Sequence, residues 1–431
     1  RQDDDHPLSR AWERAIRGIG AVNADADSEL ASTYWAQEYK NQDVMKIADN
    51  YKIGPPEYQG SGNIEERGSE FARWTLDQDE ETFAGSQWGK ALRPYRIDEA
   101  QGVMLFHSAV QGTGTGASPV IADRLKEEVL TSGTEYDLDT IGVGGSSLYS
   151  SVILPSKGVV SDTEKRNGLI GLARLVNSAD AVIPFDNENL EKVQAAYPDL
   201  RVPIPNLDKY QFSEHQSANE VLISFLETLS LTSAAPGGDG EILDTGEQVD
   251  VQDVYHPAKE LFPKDDQAVV LAPAYGHINI NSEFNKETLD ELVARTLVGG
   301  KLVDFDHQTA WGGAFLVAQS GEYGNSIKEV GQQNLRKILS KEEYLNFDLN
   351  GDRFVPTSDY YIKIPGIDGV RLCAVLYNPR MERLENWRDW ADGKRGGNTP
   401  FAERIDGKWE EIEELFRYFG REQKQGGGGE N

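Results

Sequence analysis

The sequence predicts an α/β fold, a mostly parallel sheet with helices on both faces, followed by a second α+β part. Three observations carry this. Apolar runs of strand length alternate with helical patterns through the first half, and each change is marked by Gly, Asn or Ser turns. A long helical repeat then separates this half from a series of strand-like runs.

Taken in order, residues 11–19 pattern as a helix leading into a short strand over 19–23, which ends in the polar turn Asn23-Ala24-Asp25-Ala26-Asp27. Gly60-Ser61-Gly62-Asn63 is a glycine turn entering a helix through Glu65, Glu66 and Arg67. A strand over 103–110 runs into Gly112-Thr113-Gly114-Thr115-Gly116-Ala117-Ser118-Pro119, read as a loop before a helix over 120–129. Weaker strands are expected at 141–143 and 151–154, a helix at 167–176 and a strand at 181–185. In such sheets ligands collect at the carboxyl ends of strands, which gathers Asn23, Gly112, Ser156 and Asn187.

A helix over 213–231 follows, with Val221, Leu222, Phe225, Leu226 and Leu229 at helical spacing, and it stops before the breakers of 233–240. Strands are expected at 268–272, 302–305, 314–318, 360–364 and 370–376. Trp409, Ile412, Leu415, Phe416 and Phe419 form an apolar stripe on an acidic terminal helix, which either docks on the body or recruits a partner. Residues 421–431, with four glycines in a row, read as a disordered tail. The domains expected are therefore 1–209 as the parallel-sheet half with its glycine turns, 210–235 as central helix, 236–395 as the α+β part, and 396–431 as terminal helix and tail.

Composition narrows the partners. Seventy-two acidic against forty-three basic residues leave a net charge of −29, which repels nucleic acid and anionic lipid and suits a halophilic source. The lone Cys373 cannot form an intrachain disulfide and lies in an apolar strand as buried filling. No apolar stretch reaches the length of a membrane span and no signal peptide opens the chain, so a cytoplasmic location is expected.

The chemistry resides in clusters. Alternate glycines at 112, 114 and 116 remove the Cβ atoms that keep backbone from a ligand, and the helix start after them offers free N–H groups to phosphate. Gly60, Ser61, Gly62 and Asn63 suit a terminal phosphate. Asn23 and Asp25 end a strand, where Asp25 can hold a hydrated Mg²⁺ or simply form an Asx turn. Asp162, Glu164, Arg166 and Asn167 can bind ribose hydroxyls, although Ser161-Asp162-Thr163-Glu164 also reads as a capping sequence. Asn187 and Asn219 offer amides to a base edge, with His215 one helical turn before Asn219 and able to stack on the base. In Gln248-Val249-Asp250-Val251-Gln252-Asp253, two carboxylates three apart share one face and can orient a water; the alternative is an N-cap and a first-turn acid.

In this order the clusters resemble the tubulin/FtsZ superfamily of polymerising GTPases. Gly112 to Gly116 resembles its glycine signature, Ala117-Ser118-Pro119-Val120 the FtsZ form that follows, and Ala21-Val22-Asn23-Ala24-Asp25 the FtsZ loop after the second strand. Gly60 to Asn63 is similar to the loop near the γ-phosphate. Val160-Ser161-Asp162-Thr163 and Phe185-Asp186-Asn187-Glu188 are similar to the segments around ribose and guanine. Val249 to Val254 is similar to the FtsZ catalytic loop, with Gln248 where an asparagine is usual. Within the superfamily the acidic chain looks most like the CetZ and FtsZ-like proteins of haloarchaea.

The resemblance implies a tubulin/FtsZ-like fold, GTP and GDP as ligands with Mg²⁺, and copies stacked head to tail as a homopolymer. GTP on one copy is then hydrolysed by Asp250 and Asp253 of the next, and the C-terminal tail is free to recruit a protein partner. A strand and first glycine loop usual in the family are expected before Arg1. The stretch from Asn219 to Asp250 is longer than in FtsZ, with 236–246 as the insertion. Two rivals remain: a nucleotide-binding scaffold with little hydrolysis, and an NAD-dependent oxidoreductase. Against the second, Gly-x-Gly-x-Gly differs from the Rossmann Gly-x-Gly-x-x-Gly.

Overall fold

The computed structural model describes residues 22–23, 51–55, 57–58, 60–77, 102–127, 147–156, 158, 160–197, 216–231, 254, 268–279, 284–319, 326–347, 356–363, 369–417 and 419–420. Two short strands, β1 (Val22–Asn23) and β2 (Tyr51–Lys52), pair in parallel. Seven more form one sheet: β3 (Gly102–Ser108), β4 (Ser147–Leu154), β5 (Ala181–Asp186), β6 (Val269–Ile278), β7 (Gly313–Gln319), β8 (Thr357–Lys363) and β9 (Val370–Tyr377). Their order is β3-β4-β5-β6-β9-β7-β8. The first four are parallel, β9 runs antiparallel to both β6 and β7, and β7 and β8 are parallel.

The helices are α1 (Glu65–Asp77), α2 (Gly112–Leu125), α3 (Asp162–Ser178), α4 (Asn187–Ala196), α5 (Gln216–Leu231), α6 (Lys286–Ala294), α7 (Ser326–Leu339), α8 (Glu382–Asp392), α9 (Pro400–Asp406) and α10 (Trp409–Phe416). Alternating side chains divide the core between the two faces of the sheet, as a period of two requires. Ala181, Ile183 and Phe185 of β5, with Cys373 and Val375 of β9, join Val221 and Phe225 of α5 on one face. Val182, Leu372 and Ala374 join Leu169, Leu172 and Val176 of α3 on the other. A smaller core holds Phe71, Ala72 and Leu76 of α1 against Ala117, Val120 and Ile121 of α2.

The expected strands at 103–110, 151–154, 181–185, 268–272, 314–318, 360–364 and 370–376 are all present with shifted ends. The segment 302–305 is not a strand; Lys301, just before it, makes an isolated bridge to Ala274. The reason is a wedge in the sheet. β5 and β6 pair only at Ala181 with Val269 and Val182 with Val270, then part. Residues 300–302 fill the gap: Leu302 N donates to Pro273 O at 2.9 Å, and Asp186 N donates to Leu302 O at 2.8 Å. Pro273 turns its missing N–H to this side and away from the β9 ladder, where a donor is needed.

The terminal helix docks on the body: Ile412, Leu415 and Phe416 of α10 are buried in the core that α3 shares. Cys373 is buried in β9, as expected. The expected elements at 11–19 and 141–143, and the tail, lie outside the described residues.

Candidate nucleotide site

Two turns meet in front of the sheet. The first carries left-handed backbone at Gly60 (φ 85°), Gly62 (φ 65°) and Asn63 (φ 58°), and leads into α1. Consecutive positive φ values at Gly62 and Asn63 suit these two residue types. The second turn leads into α2, and here the structure corrects the expected loop over 112–119. The helix begins at Gly112, eight residues before its expected start, so the glycines form its opening turns.

The glycines do not turn empty space toward a ligand. A Cβ on Gly112 would strike the Ile64 backbone and Ser61 Oγ, one on Gly116 would strike the Glu65 carbonyl, and one on Gly114 would lie 3.0 Å from His107 Cβ. Gly68 of α1 likewise faces the Gly112 carbonyl. Their smallness lets α1 cross α2 in close contact, which carries the 60–63 turn onto the start of α2. Ser61 Oγ and Thr113 Oγ1 then lie 3.0 Å apart, and Ser69 Oγ donates to the Gly116 carbonyl at 2.8 Å. Arg174 Nη1 in turn donates to Ser69 Oγ at 2.6 Å.

What stays accessible is the rim. Gln111, Gly62 and Asn63 are exposed, and Thr113 and Gly114 are half-buried, whereas Gly112, Thr115 and Gly116 are buried. Gln111 at the N-cap makes no side-chain capping bond. The first N–H groups of α2 therefore lack both an intrahelical acceptor and a cap. The helices beside it differ: α3 has a full capping box, and Asp186 caps α4. An uncapped helix start with a positive dipole end is a place for an anion.

Glu164 takes the capping role, its carboxylate accepting from Ser161 N at 2.7 Å and Ser161 Oγ at 2.8 Å. Asp162 is exposed and pairs with Lys165 at 3.9 Å and Lys394 at 3.7 Å. Arg166 is buried, its guanidinium 5.0 Å from the Phe401 ring of α9 and its Nε without a partner. Asn187 is the first residue of α4; just before it, Phe185 of β5 packs on Phe225 of α5, with ring centroids 5.7 Å apart. Asn23 lies in β1 opposite Lys52, and Asn219 in the first turn of α5; the side chains of both lie outside the described residues. Asp25, His215, Gln248, Asp250 and Asp253 also lie outside them. Val254, just past the acidic loop, is buried, and its carbonyl accepts from Tyr377 Oη of β9 at 2.8 Å.

Sequence reasoning offered Asn167 to ribose and gave Glu65 and Asp186 no role of their own, yet all three organise this region. Asn167 is buried and bonds to both turns. Glu65 is 3 % exposed; burial and then Glu66 push its carboxyl above the ordinary range, while Arg174, Arg166 and Arg404 pull it down. Asp186 forms a buried ion pair with Arg383 of α8. Polar residues inside otherwise apolar helical patterns are the signal that marks Asn167 and Arg174.

Fold and site first define a class, an α/β protein whose parallel strands end at glycine-flanked helix starts suited to phosphate. Residues 92–195 match the family model described as tubulin/FtsZ family, GTPase domain. CetZ2 from Haloferax volcanii, solved as a GTPγS-bound protofilament, is similar with a TM-score of 0.53 and 16 % identity, over 94 % of this chain and 96 % of that one. CetZ1 from the same organism, solved as a GDP-bound monomer, gives a TM-score of 0.53 and 16 % identity over 95 % and 94 %. Residues 92–195 thus resemble a tubulin/FtsZ GTPase domain, and the chain as a whole has the tubulin/FtsZ fold of the CetZ structures.

Proposed function

We propose that this protein binds a guanine nucleotide at the start of α2 and hydrolyses GTP when a second copy supplies Asp250 and Asp253, so that copies stacked head to tail form a homopolymer. The observation that carries this is the uncapped α2 start facing the 60–63 turn. Backbone N–H groups around Thr113 and Gly114 take the inner phosphates, and Gly60 to Asn63 take the terminal one. Thr115 supports the start of α2 through its bond to the Ser108 carbonyl at 3.1 Å. Asp162, Glu164 and Arg166 lie on the ribose side; Asn187, His215 and Asn219 serve the base.

Mg²⁺ would be held through water near Asp25 and would spread phosphate charge. Among the described residues no group of three or more His, Cys, Asp or Glu could hold a metal. Asp250 and Asp253, with Gln248 beside them, orient the attacking water. Val254, directly after these residues in the chain, is tied to β9 through Tyr377. The GTPγS-bound protofilament named above supports assembly, at the level of a related fold. Among the described residues no helix is long and apolar enough to cross a membrane.

A second reading, a nucleotide-binding scaffold with little hydrolysis, is favoured by Gln248 in place of the usual asparagine. Phosphate release measured against protein concentration separates the two. Catalysis between copies rises faster than linearly with concentration, whereas a scaffold releases none above background. Asp250→Ala and Asp253→Ala are expected to keep nucleotide binding and to slow turnover by roughly 10²–10⁴-fold. Parent-like turnover in both variants removes these aspartates from the mechanism.

A further inference from the structure

We infer that Asn167 is a positioning residue that sets the spacing between the two phosphate-facing turns; the inference rests on the nucleotide reading above. Asn167 is fully buried near the start of α3. Its Nδ2 donates to the Asn63 carbonyl at 3.0 Å and to the Val110 carbonyl at 3.2 Å. Its Oδ1 accepts from Arg166 Nη2 at 2.8 Å. Both amide hydrogens and the oxygen are thus used, each on a different partner. The opposite amide orientation would set its oxygen against two carbonyls and its NH₂ against a guanidinium.

The two accepting carbonyls occupy matching places. Asn63 ends the left-handed turn, and Val110 immediately precedes Gln111, the N-cap of α2. One planar amide therefore spans the gap between the turn and the helix start. Arg166, packed over Phe401, fixes that amide from behind. A ligand that touches only the α2 start does not depend on this spacing. One that also reaches the 60–63 turn does.

Asn167 therefore acts on the terminal phosphate and sets the preference for triphosphate over diphosphate. The test is competition of GDP and a slowly hydrolysed GTP analogue against a fluorescent guanine nucleotide, on the full chain, for the parent, Asn167→Leu and Asn167→Asp. Both variants match asparagine in size and lose the two donated bonds. Affinity for the triphosphate is expected to fall about tenfold or more and that for GDP by less than about threefold, since the lost bonds set the spacing between the turn and the helix start, which the triphosphate alone spans. Equal losses for both ligands, or no loss, overturn the inference. A parent that binds neither nucleotide overturns the nucleotide reading instead. If Asn167→Leu does not fold, Asn167→Asp decides; if neither folds, Asn167 is purely structural and the inference fails.

Discussion

His107, at the end of β3, has both ring nitrogens engaged. Nδ1 lies 3.0 Å from the Ser108 carbonyl and Nε2 2.9 Å from Ser150 Oγ, which suits a neutral ring donating at the first nitrogen and accepting at the second. Burial pulls its pKa down to about 4. In the unfolded chain the same ring titrates near 6.5, so between pH 6.5 and 4 the unfolded state holds more protons. Stability is therefore lost as pH falls through that window, by up to about 3 kcal/mol from this ring. His107→Gln is expected to lose less stability than the parent between pH 7 and 4.5 in urea denaturation; parallel losses would show that the ring carries no such linkage. At this scale the sequence made the glycines legible but not their use. Gly112 and Gly116 stood out as a motif, yet their missing Cβ atoms face α1, a neighbour that lies far away in the chain. Asn167 was legible only as a ribose candidate at a helix start, because its partners, Asn63 and Val110, come together only in the folded protein.

At the scale of elements, α2 is the informative case. Alternate glycines and an internal Pro119 argue for a loop, since glycine costs about 1 kcal/mol in a helix and proline more. Tertiary contact overrides this, because only glycines permit α1 to lie against the first turns, where Ser69 and Ser61 bind α2 directly. The strand expected at 302–305 is missing for a related reason: residues 300–302 fill the gap where β5 and β6 part, a long-range arrangement that local periodicity does not carry. The helix at 213–231 and the sheet strands were legible because their patterns are local, helical spacing in the one and unbroken apolar runs in the others. The start of α2 also offers a test of its own. Gln111→Asp would give the helix an N-cap and place a carboxylate where the phosphate is proposed to lie. Without nucleotide the variant is expected to be more stable by about 0.5–2 kcal/mol. Its guanine nucleotide affinity is expected to drop. Gains in both, or losses in both, in paired thermal melts and binding titrations would falsify the anion-site reading of this helix start.

Across the whole molecule the two halves are joined in one sheet and locked by a charge pair. Asp186 ends β5 and caps α4, accepting from Glu188 N at 2.9 Å and Asn189 N at 3.4 Å, while its other oxygen meets Arg383 of α8. Arg383 lies 5.1 Å from the Trp387 ring, and Trp387 rests where Gly168 of α3 leaves room. The C-terminal helices reach the site again through Arg404, which pairs with Glu66 at the start of α1. The segment around Asn187 was legible as a family motif, but the partner of Asp186 was not, since nearly two hundred residues separate the two charges. Both charges are buried, so removing one leaves the other unpaired, and Arg383→Ala is expected to cost about 3–5 kcal/mol in urea denaturation. Burial already raises the Asp186 pKa, with Arg383 opposing it. Without Arg383 the carboxyl protonates at still higher pH in the folded state, which relieves the buried charge. The deficit of the variant is therefore expected to shrink as pH falls toward the raised pKa. Joint replacement, Asp186→Asn with Arg383→Met, should recover much of the loss, because a neutral pair leaves no stranded charge. If Arg383→Ala costs less than about 1 kcal/mol, or its deficit grows on acidification, the pair does not hold the halves together.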